Sequence, residues 1–209
     1  MRFTRPLATL LLAALLATFV QANDDEAGFE PIFNHQDLTG WTAAEGWAVQ
    51  EGLLQVVARG SNIFTEKEFE HFELRFDFKI SDGGNSGVYL RRGGFEVQLL
   101  DDYAERYQNL QDWQYSGSLY GFVPPRERVS KQPGEWQTMA LRMVGQELTV
   151  VLNGTPIVEA DFDELKKGER QHAGLAPGAG RLGFQNYGGS PIAFRNIRVK
   201  ELTVCEDEQ

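Results

Sequence analysis

The sequence predicts an all-β protein, built as a sandwich of two packed antiparallel sheets or as a jelly roll. Three observations predict this fold class. Residues 72–80 alternate strictly between apolar and polar side chains, as a strand with one buried face requires. Strand-like runs recur along the chain and are separated by glycine-containing turns, and helical periodicity is weak throughout.

The predicted strands follow one another as hairpins. Glu51-Gly52, Gly145-Gln146 and Asn153-Gly154 have the composition of tight turns. Asn153-Gly154-Thr155 is also a glycosylation sequon, although a type I′ turn accounts better for Asn-Gly. Residues 162–168 alone favour a turn or so of helix. The predicted strand pairs are residues 47–49 with 53–57, 136–143 with 147–152, 147–152 with 157–159, and 182–187 with 192–202.

Two neighbouring runs, residues 85–91 and 94–102, carry the most specific pattern. Alternation predicts that Phe95, Val97 and Leu99 face the core, which leaves Glu96 and Gln98 side by side on the exposed face. Charged and amide groups displayed on a curved sheet suit a sugar-binding cleft. A solvated strand surface has the same pattern, so the alternation alone leaves both interpretations open.

The remaining aromatic residues fall into two groups. Trp41, Trp47 and Trp136 lie in short turn-to-strand segments and are predicted to belong to the core. Residues 102–135 form an irregular connection rich in aromatic side chains, which is more typical of a binding loop than of a spacer. These side chains are Tyr103, Tyr107, Trp113, Tyr115 and Tyr120.

The N-terminus predicts a cleavable signal peptide over residues 1–22. Arg2 and Arg5 precede an apolar run over residues 6–20, and residues 20–22 offer a small-residue cleavage site. The apolar run is shorter than the ~20 residues that a membrane span needs, although an uncleaved anchor is the alternative interpretation. We therefore expect a mature protein that starts near Asn23 and is periplasmic or secreted.

The mature chain is strongly acidic, because loss of the two signal arginines takes the net charge from −10 to about −12. An acidic surface disfavours nucleic acid and, after signal cleavage, anionic membranes. Cys205 is the only cysteine, and it lies in an acidic tail over residues 203–209. The three histidines are scattered and no metal-ligand spacing occurs, so we predict neither a metal nor a cofactor.

Seven segments in the same order resemble the 3-keto-disaccharide hydrolase family, also described as 3-keto-glucoside-1,2-lyase/3-keto-2-hydroxy-glucal hydratase and long known as DUF1080. The resemblance covers residues 29–202, which we take as one domain. The segments lie at residues 33–41, 85–91, 95–101, 116–121, 134–136, 152–154 and 180–197.

The resemblance implies a concanavalin A-like jelly roll with a ligand cleft on its concave sheet. It also implies a substrate that a separate oxidoreductase has already oxidised at C3, namely a 3-keto glucoside or disaccharide. A C3 ketone acidifies the C2 proton, so that a carboxylate can remove it while C1 expels the glycosidic oxygen. Water then adds to the enone. Such a site needs a base, an enolate stabiliser and an acid for the leaving group.

The best candidate for the base is Glu96, with Gln98 beside it as a substrate ligand and Asp101 close by as a second catalytic carboxylate. The alternative for Glu96 is a solvated or ion-paired strand residue. The spacing Glu-x-Gln-x-x-Asp lacks the middle carboxylate of the familiar two-carboxylate glycosidase pattern.

Further candidates follow from the family segments. Arg91 is predicted to bind the C3 oxygen as enolate charge develops, or else to form an ion pair with Glu96 or Asp101. Tyr120 and Gln185 are predicted substrate ligands. For Tyr89 and Trp113 the sequence is compatible both with stacking on a sugar ring and with packing inside the protein.

One position departs from the family. Many members have a histidine where this chain has Tyr187. We predict that Tyr187 takes the histidine's place as an acid/base group. It would be an imperfect replacement, since tyrosine has a reference pKa near ~10.

The sequence therefore favours a 3-keto-glycoside-cleaving enzyme that acts by β-elimination and hydration. Two other functions are compatible with the same residues: a carbohydrate-binding module without catalytic activity that uses the same cleft, and a cell-surface interaction domain.

Overall fold

The computed structural model describes residues 26–91 and 94–203. The predicted signal peptide over residues 1–22, the predicted mature start at Asn23 and residues 204–209 of the acidic tail, with Cys205, lie outside the described residues. Within the described part of the chain, no helix is long and apolar enough to cross a membrane.

The described residues form twelve β-strands and one short α-helix, α1 (Phe162–Leu165). The strands are β1 (Glu30–Pro31), β2 (Trp47–Gln50), β3 (Leu53–Val56), β4 (Ile63–Phe69), β5 (Phe72–Ile80), β6 (Asn85–Leu90), β7 (Phe95–Leu100), β8 (Gln137–Val144), β9 (Glu147–Leu152), β10 (Thr155–Asp161), β11 (Gly180–Phe184) and β12 (Ile192–Glu201). Three 3₁₀ turns lie at Glu105–Tyr107, Asp112–Gln114 and Ala173–Leu175.

The strands divide into two antiparallel sheets. The larger sheet has the order β10-β9-β8-β5-β12-β3-β2, with β1 paired to β12, and the smaller sheet has the order β4-β11-β6-β7. The predicted all-β, two-sheet fold is therefore confirmed. Strand β4, which the sequence pattern did not reveal, forms an edge of the smaller sheet, and a register shift interrupts its pairing with β11.

The core lies between the sheets and is rich in phenylalanine. The predicted inward residues of β5 are all buried, because alternation places every second side chain on the inner face. Phe184 of the smaller sheet stacks on Phe194 of the larger sheet, with ring centroids 4.0 Å apart, and meets Phe76 edge-on at 5.4 Å. These contacts join the two sheets.

The hairpin at Asn153-Gly154 shows how the turns are fixed. Both residues have positive φ, 52° and 85°, as a type I′ turn requires. The Asn153 side chain accepts a hydrogen bond from Thr138 N at 3.1 Å and donates one to Val129 O at 2.9 Å. The asparagine therefore holds the turn in place, in agreement with the turn interpretation of the sequon.

The predicted core position of Trp136 is wrong, whereas Trp41 and Trp47 are buried as predicted. Trp136 is half-buried and lies between two cations. Its ring is 5.1 Å from Lys79 Nζ and 4.0 Å from the Arg195 guanidinium. The aliphatic stems and charged heads of these residues cover the ring from outside, so the indole is shielded without entering the core.

Candidate functional site

The outward face of the smaller sheet is built by the hairpin of β6 and β7. Phe95, Val97 and Leu99 point into the core, as the alternation predicts. In the pairing of the two strands, Tyr89 lies opposite Glu96, and Gly87 lies opposite Gln98. Side chains that lie opposite each other on one face are close enough to interact directly. The hairpin therefore brings a carboxylate and a phenol together on the open face.

A hydrogen-bonded network connects these two groups through Gln185. The Gln185 Nε2 atom donates to the Tyr89 hydroxyl at 2.8 Å and to Glu96 Oε2 at 3.2 Å. The Gln185 backbone N–H donates to Gly87 O, and the Gln185 carbonyl accepts from the Ser86 hydroxyl. The bridging residue is therefore held through both of its backbone polar groups. The network has little freedom to rearrange.

Glu96 is a carboxylate with no ion-pair partner among the residues that the structure describes. Burial raises its pKa from 4.5 to about 7, and the hydrogen bond from Gln185 opposes the rise only in part. None of the ion pairs among residues 26–91 and 94–203 involves Glu96. A carboxyl group with a pKa near 7 exists in both protonation states at neutral pH, which suits a proton-transfer group.

Two glycines make room for side chains of the site. A β-carbon at Gly87 would lie 2.3 Å from Glu96 Oε1, and one at Gly183 would lie 2.4 Å from the Phe64 ring. Because neither position carries a side chain, the carboxylate rests over β6, and the rings of Phe64 and Tyr89 stack with centroids 5.7 Å apart. The two rings form an apolar platform beside the carboxylate.

This platform is part of a cleft of about 510 Å³. Its size suits a sugar unit, since small-molecule sites commonly have volumes of ~300–1,000 Å³. A separate depression of about 360 Å³ lies on the larger sheet. The cleft is lined by Asn62, Phe64, Glu68, Tyr89, Arg91, Gly94, Gly180 and Arg181.

The predicted binding loop runs along the outer edge of β7. The N–H groups of Gln98 and Tyr120 donate to Ser118 O at 3.1 Å and Glu96 O at 2.9 Å. The Tyr120 hydroxyl accepts from Gln114 Nε2 at 2.9 Å, and its ring meets Trp113 edge-on at 5.3 Å. The loop thus extends the sheet by a short strand-like segment and places Tyr120 opposite Glu96.

The same loop corrects the prediction for Gln98. Alternation places its side chain on the outward face as expected, but only 3% of the residue is exposed. Its Oε1 accepts from Leu99 N at 3.2 Å. The loop pairs with β7 through the backbone of Gln98, and the exposed face that the strand pattern predicts ends at Glu96.

Arg91 is directed away from Glu96. It has a positive φ of 59° directly after β6, which breaks the strand alternation that the prediction assumed. Its guanidinium donates to Gln146 Oε1 at 2.6 Å, to Ala176 O at 3.4 Å and to Gly145 O. Burial lowers the pKa of this group. Arg91 thus lines one side of the cleft, but its guanidinium reaches the hairpin between β8 and β9 and forms no ion pair with Glu96 or Asp101. Its role at the C3 oxygen stays a prediction.

Asp101 is buried and bound to backbone, contrary to its predicted place beside the base. Its carboxylate accepts from Gly83 N at 2.7 Å and from Tyr103 N at 3.0 Å, which fixes the turn after β7. The adjacent Asp102 accepts from the Ser130 hydroxyl at 2.6 Å and from Ser116 N at 3.0 Å, and burial raises its pKa. The acidic pair therefore anchors the two ends of the binding loop.

Tyr187 lies 55% exposed, and the described residues make no hydrogen bond or ring contact with its side chain. The preceding Asn186 holds the segment, since its Nδ2 donates to Ala58 O at 3.0 Å and its Oδ1 accepts from Gly189 N at 2.9 Å. Gln185, two positions earlier, points into the network as predicted. The acid/base role of Tyr187 stays a prediction.

The sequence pattern missed three contributors. Gly87 and Gly183 make room for other side chains, and only the three-dimensional contacts reveal this. The sequence pattern assigns Tyr89 only a stacking or packing role for its ring. The register of the predicted hairpin, which places Tyr89 opposite Glu96, is the signal that points to its hydroxyl. Within the described ranges, no group of three or more histidine, cysteine, aspartate or glutamate side chains could hold a metal ion.

Comparison with known proteins agrees with this architecture. Residues 28–200 match the family described as 3-keto-alpha-glucoside-1,2-lyase-like domain. A protein of Bacteroides thetaiotaomicron named 3-keto-disaccharide hydrolase is 24% identical over 239 aligned positions, which cover 85% of this chain and 80% of that protein.

Solved structures extend the comparison. A proposed glycosyl hydrolase of Parabacteroides distasonis ATCC 8503 is 31% identical, with a TM-score of 0.75, and the match covers 83% of this chain and 99% of that one. The carbohydrate-binding module CBM66 of Bacillus subtilis is 14% identical, with a TM-score of 0.52, over 78% of this chain and 96% of the module. At that identity the likeness concerns the fold alone.

Proposed function

Since this chain belongs to the 3-keto-alpha-glucoside-1,2-lyase-like domain family, we propose that it cleaves the glycosidic bond of sugars that carry a ketone at C3. The substrates are 3-keto glucosides or disaccharides. One observation carries the proposal: Glu96 is a half-buried carboxylate with a pKa of about 7 and no cationic partner among the described residues, and it lies opposite Tyr89, whose ring lines the cleft.

In the proposed reaction the Glu96 carboxylate removes the proton from C2. The electron pair of the C2–H bond forms the enolate of the C3 ketone. When the enolate collapses, the C1–C2 double bond forms, the C1–oxygen bond breaks, and the aglycone oxygen leaves with a proton. Water then adds across the double bond, its oxygen to C1 and a proton to C2. Elimination followed by hydration amounts to hydrolysis.

The surroundings of Glu96 suit the first step. At neutral pH a base with a pKa of about 7 is substantially ionised, yet it is basic enough to take a carbon-bound proton that the adjacent ketone has acidified. Phe64 and Tyr89 provide an apolar surface for the C–H face of a pyranose ring. The hydrogen bond from Gln185 holds the carboxylate in one orientation.

We further propose that the protein is exported to the periplasm or secreted, on the basis of the predicted signal peptide. Its substrate does not arise by glycosidic condensation, since the ketone requires prior oxidation of a secondary alcohol. The protein would therefore depend on an oxidoreductase that acts on C3 of the same sugar.

The direct test is to incubate the purified protein with 3-keto-trehalose and to measure release of glucose. Trehalose itself is the control, because without a C3 ketone its C2 proton is not acidic. We expect release from the keto sugar alone. Release at equal rates from both sugars would contradict the elimination mechanism.

A second candidate function is a carbohydrate-binding module without catalysis. The stacked Phe64–Tyr89 platform favours it, since binding alone needs an aromatic surface and amide groups. The exposed position of Tyr187 also favours it, because this tyrosine replaces the family's histidine. Binding of 3-keto-trehalose by calorimetry, with no glucose release over hours, would support this candidate and exclude the enzymatic one.

A further inference from the structure

The Tyr89 hydroxyl has a proton that no described residue accepts. Glu96, when ionised, can only accept hydrogen bonds, so the nitrogen side of the Gln185 amide must face it. The same nitrogen donates to the Tyr89 oxygen at 2.8 Å. Tyr89 is thus an acceptor in this bond, and its own O–H remains free to donate. Because Tyr89 lines the cleft, that proton is available to a ligand.

The surroundings keep this proton on the phenol. Burial and the nearby charge of Glu96 raise the pKa of Tyr89, while hydrogen bonds from Gln185 and Asn62 oppose the rise. Tyr89 is therefore a neutral hydrogen-bond donor across the physiological pH range. Its ring packs on Phe64 at an interplanar angle of 24°, which fixes the direction of the hydroxyl.

The spacing of donor and base suits a single ketone unit. The Tyr89 oxygen and Glu96 Oε2 each contact the same nitrogen, at 2.8 and 3.2 Å, so they are at most about 6 Å apart. The ketone unit must fit between the two oxygens, with the base oxygen ~3 Å from C2 and the donor oxygen ~3 Å from the C3 oxygen. A separation of about this size between base and donor allows both contacts at once. In Arg91, the residue predicted for the donor role, the Nη1 and Nη2 groups already donate to Gln146, Ala176 and Gly145.

We propose that the Tyr89 hydroxyl donates a hydrogen bond to the C3 oxygen of the bound keto sugar and stabilises the enolate that forms when Glu96 removes the C2 proton. This inference rests on the proposed function. It makes Tyr89 a catalytic residue, since the hydroxyl touches the reacting atoms. The hydrogen bond strengthens as negative charge develops on the oxygen, which is where such a donor accelerates a reaction most.

The test is Tyr89→Phe in the full-length protein, which keeps the stacked ring and removes only the hydroxyl. The two substrates are the 4-nitrophenyl and methyl 3-keto-glucosides. We expect kcat/KM to fall by about 10²–10³-fold on both, as for loss of one oxyanion donor. If the loss were confined to the methyl glycoside, whose leaving group needs protonation, Tyr89 would instead be the leaving-group acid and the inference would be wrong.

Thr149→Val is the control. It removes a hydroxyl from β9 of the larger sheet, outside the lining of the cleft, so its loss should leave kcat/KM unchanged. Thermal unfolding of both variants checks that each is folded. An active wild type together with a fully active Tyr89→Phe variant would refute the inference and leave the proposed function standing.

An inactive wild type would refute the proposed function but not decide the role of Tyr89. The infrared C3 carbonyl stretch of the bound 3-keto sugar decides it then. A hydrogen bond from Tyr89 lowers that frequency, so we expect an upward shift in Tyr89→Phe and none in Thr149→Val. Equal frequencies in wild type and Tyr89→Phe would refute the inference.

Discussion

The carboxylates on the outer faces of the two sheets have different kinds of partner. On the larger sheet carboxylates have guanidinium partners: Glu73 lies 2.7 Å from Arg75, and Asp77 lies 3.0 Å from Arg195. On the smaller sheet Glu96 has an amide for a partner, and its carboxyl group has a pKa raised by burial. Both faces are polar in sequence and arise from the same strand alternation.

The difference separates a surface from a site. A paired charge at a partly exposed position costs little and contributes little. An unpaired carboxylate that is largely removed from water destabilises the folded state whenever it is ionised. A protein that keeps such a group accepts lower stability at that position, as active sites commonly do. Removing charge should therefore have opposite consequences on the two faces.

The largest expected effect is on catalysis at Glu96. Glu96→Gln keeps the size of the side chain but removes the base, so kcat should fall by about 10²–10⁴-fold while affinity for the keto sugar changes little. Single-turnover release of glucose from 3-keto-trehalose measures it. If the variant keeps full activity, the base is elsewhere and the contrast between the two faces has no catalytic meaning.

Gly87→Ala should give the next largest effect. The added methyl group would lie 2.3 Å from Glu96 Oε1 and would push the carboxylate aside, and a displacement of about 1 Å can cost ~10²-fold in rate. We expect a fall in kcat with the fold intact.

Gly168→Ala is the control for this substitution. A β-carbon there would meet only Leu165 O at 3.3 Å, and Gly168 neither belongs to a strand of the smaller sheet nor lines the cleft. It should leave kcat unchanged. An unchanged kcat in Gly87→Ala as well would show that the glycine is not needed to position the carboxylate.

Sequence reasoning predicted the fold well because alternation and turn chemistry are local properties. The strict pattern of β5 and the Asn153-Gly154 turn each specify their own geometry, and the structure agrees with both. Strand β4 escaped prediction because its buried positions include Thr65, and the charged run over residues 66–68 has the composition of a solvated surface. Trp136 was misplaced because aromatic composition does not reveal that cations cover the ring from outside.

The site was predicted only in part, because its decisive features depend on contacts between distant segments. Glu96 and Gln185 come together as expected, although 89 positions separate them. Arg91 lines the cleft, but the positive φ of Arg91 itself directs its guanidinium to the β8–β9 hairpin rather than to Glu96 or Asp101. Gln98 is buried instead of exposed, because strand alternation gives the face on which a side chain lies but not what packs against that face.

The stability of Glu96→Gln should depend on pH. Below pH 4.5 the carboxyl is protonated in both the folded and unfolded states, so Gln and Glu are equivalent. Between pH 4.5 and 7 the unfolded state ionises first, which destabilises the wild type. Above pH 7 the full penalty is about 3 kcal/mol, from 1.36 kcal/mol per pH unit. Urea unfolding should show a more stable variant at pH 8 and equal proteins at pH 4, whereas equal stabilities at pH 8 would show that Glu96 is well solvated.

The smallest effect is expected on the larger sheet and has the opposite sign. Glu73→Gln removes one partner of the pair with Arg75, whose side chains are 19% and 18% exposed, so it should destabilise the protein by about 0.2–1 kcal/mol at pH 8. Glucose release should be unchanged, since Glu73 lies on the sheet that does not form the cleft. Urea unfolding beside Glu96→Gln at the same pH compares the faces directly. If Glu73→Gln were also stabilising, relief of the acidic net charge would explain both variants, and the buried position of Glu96 would not be the cause.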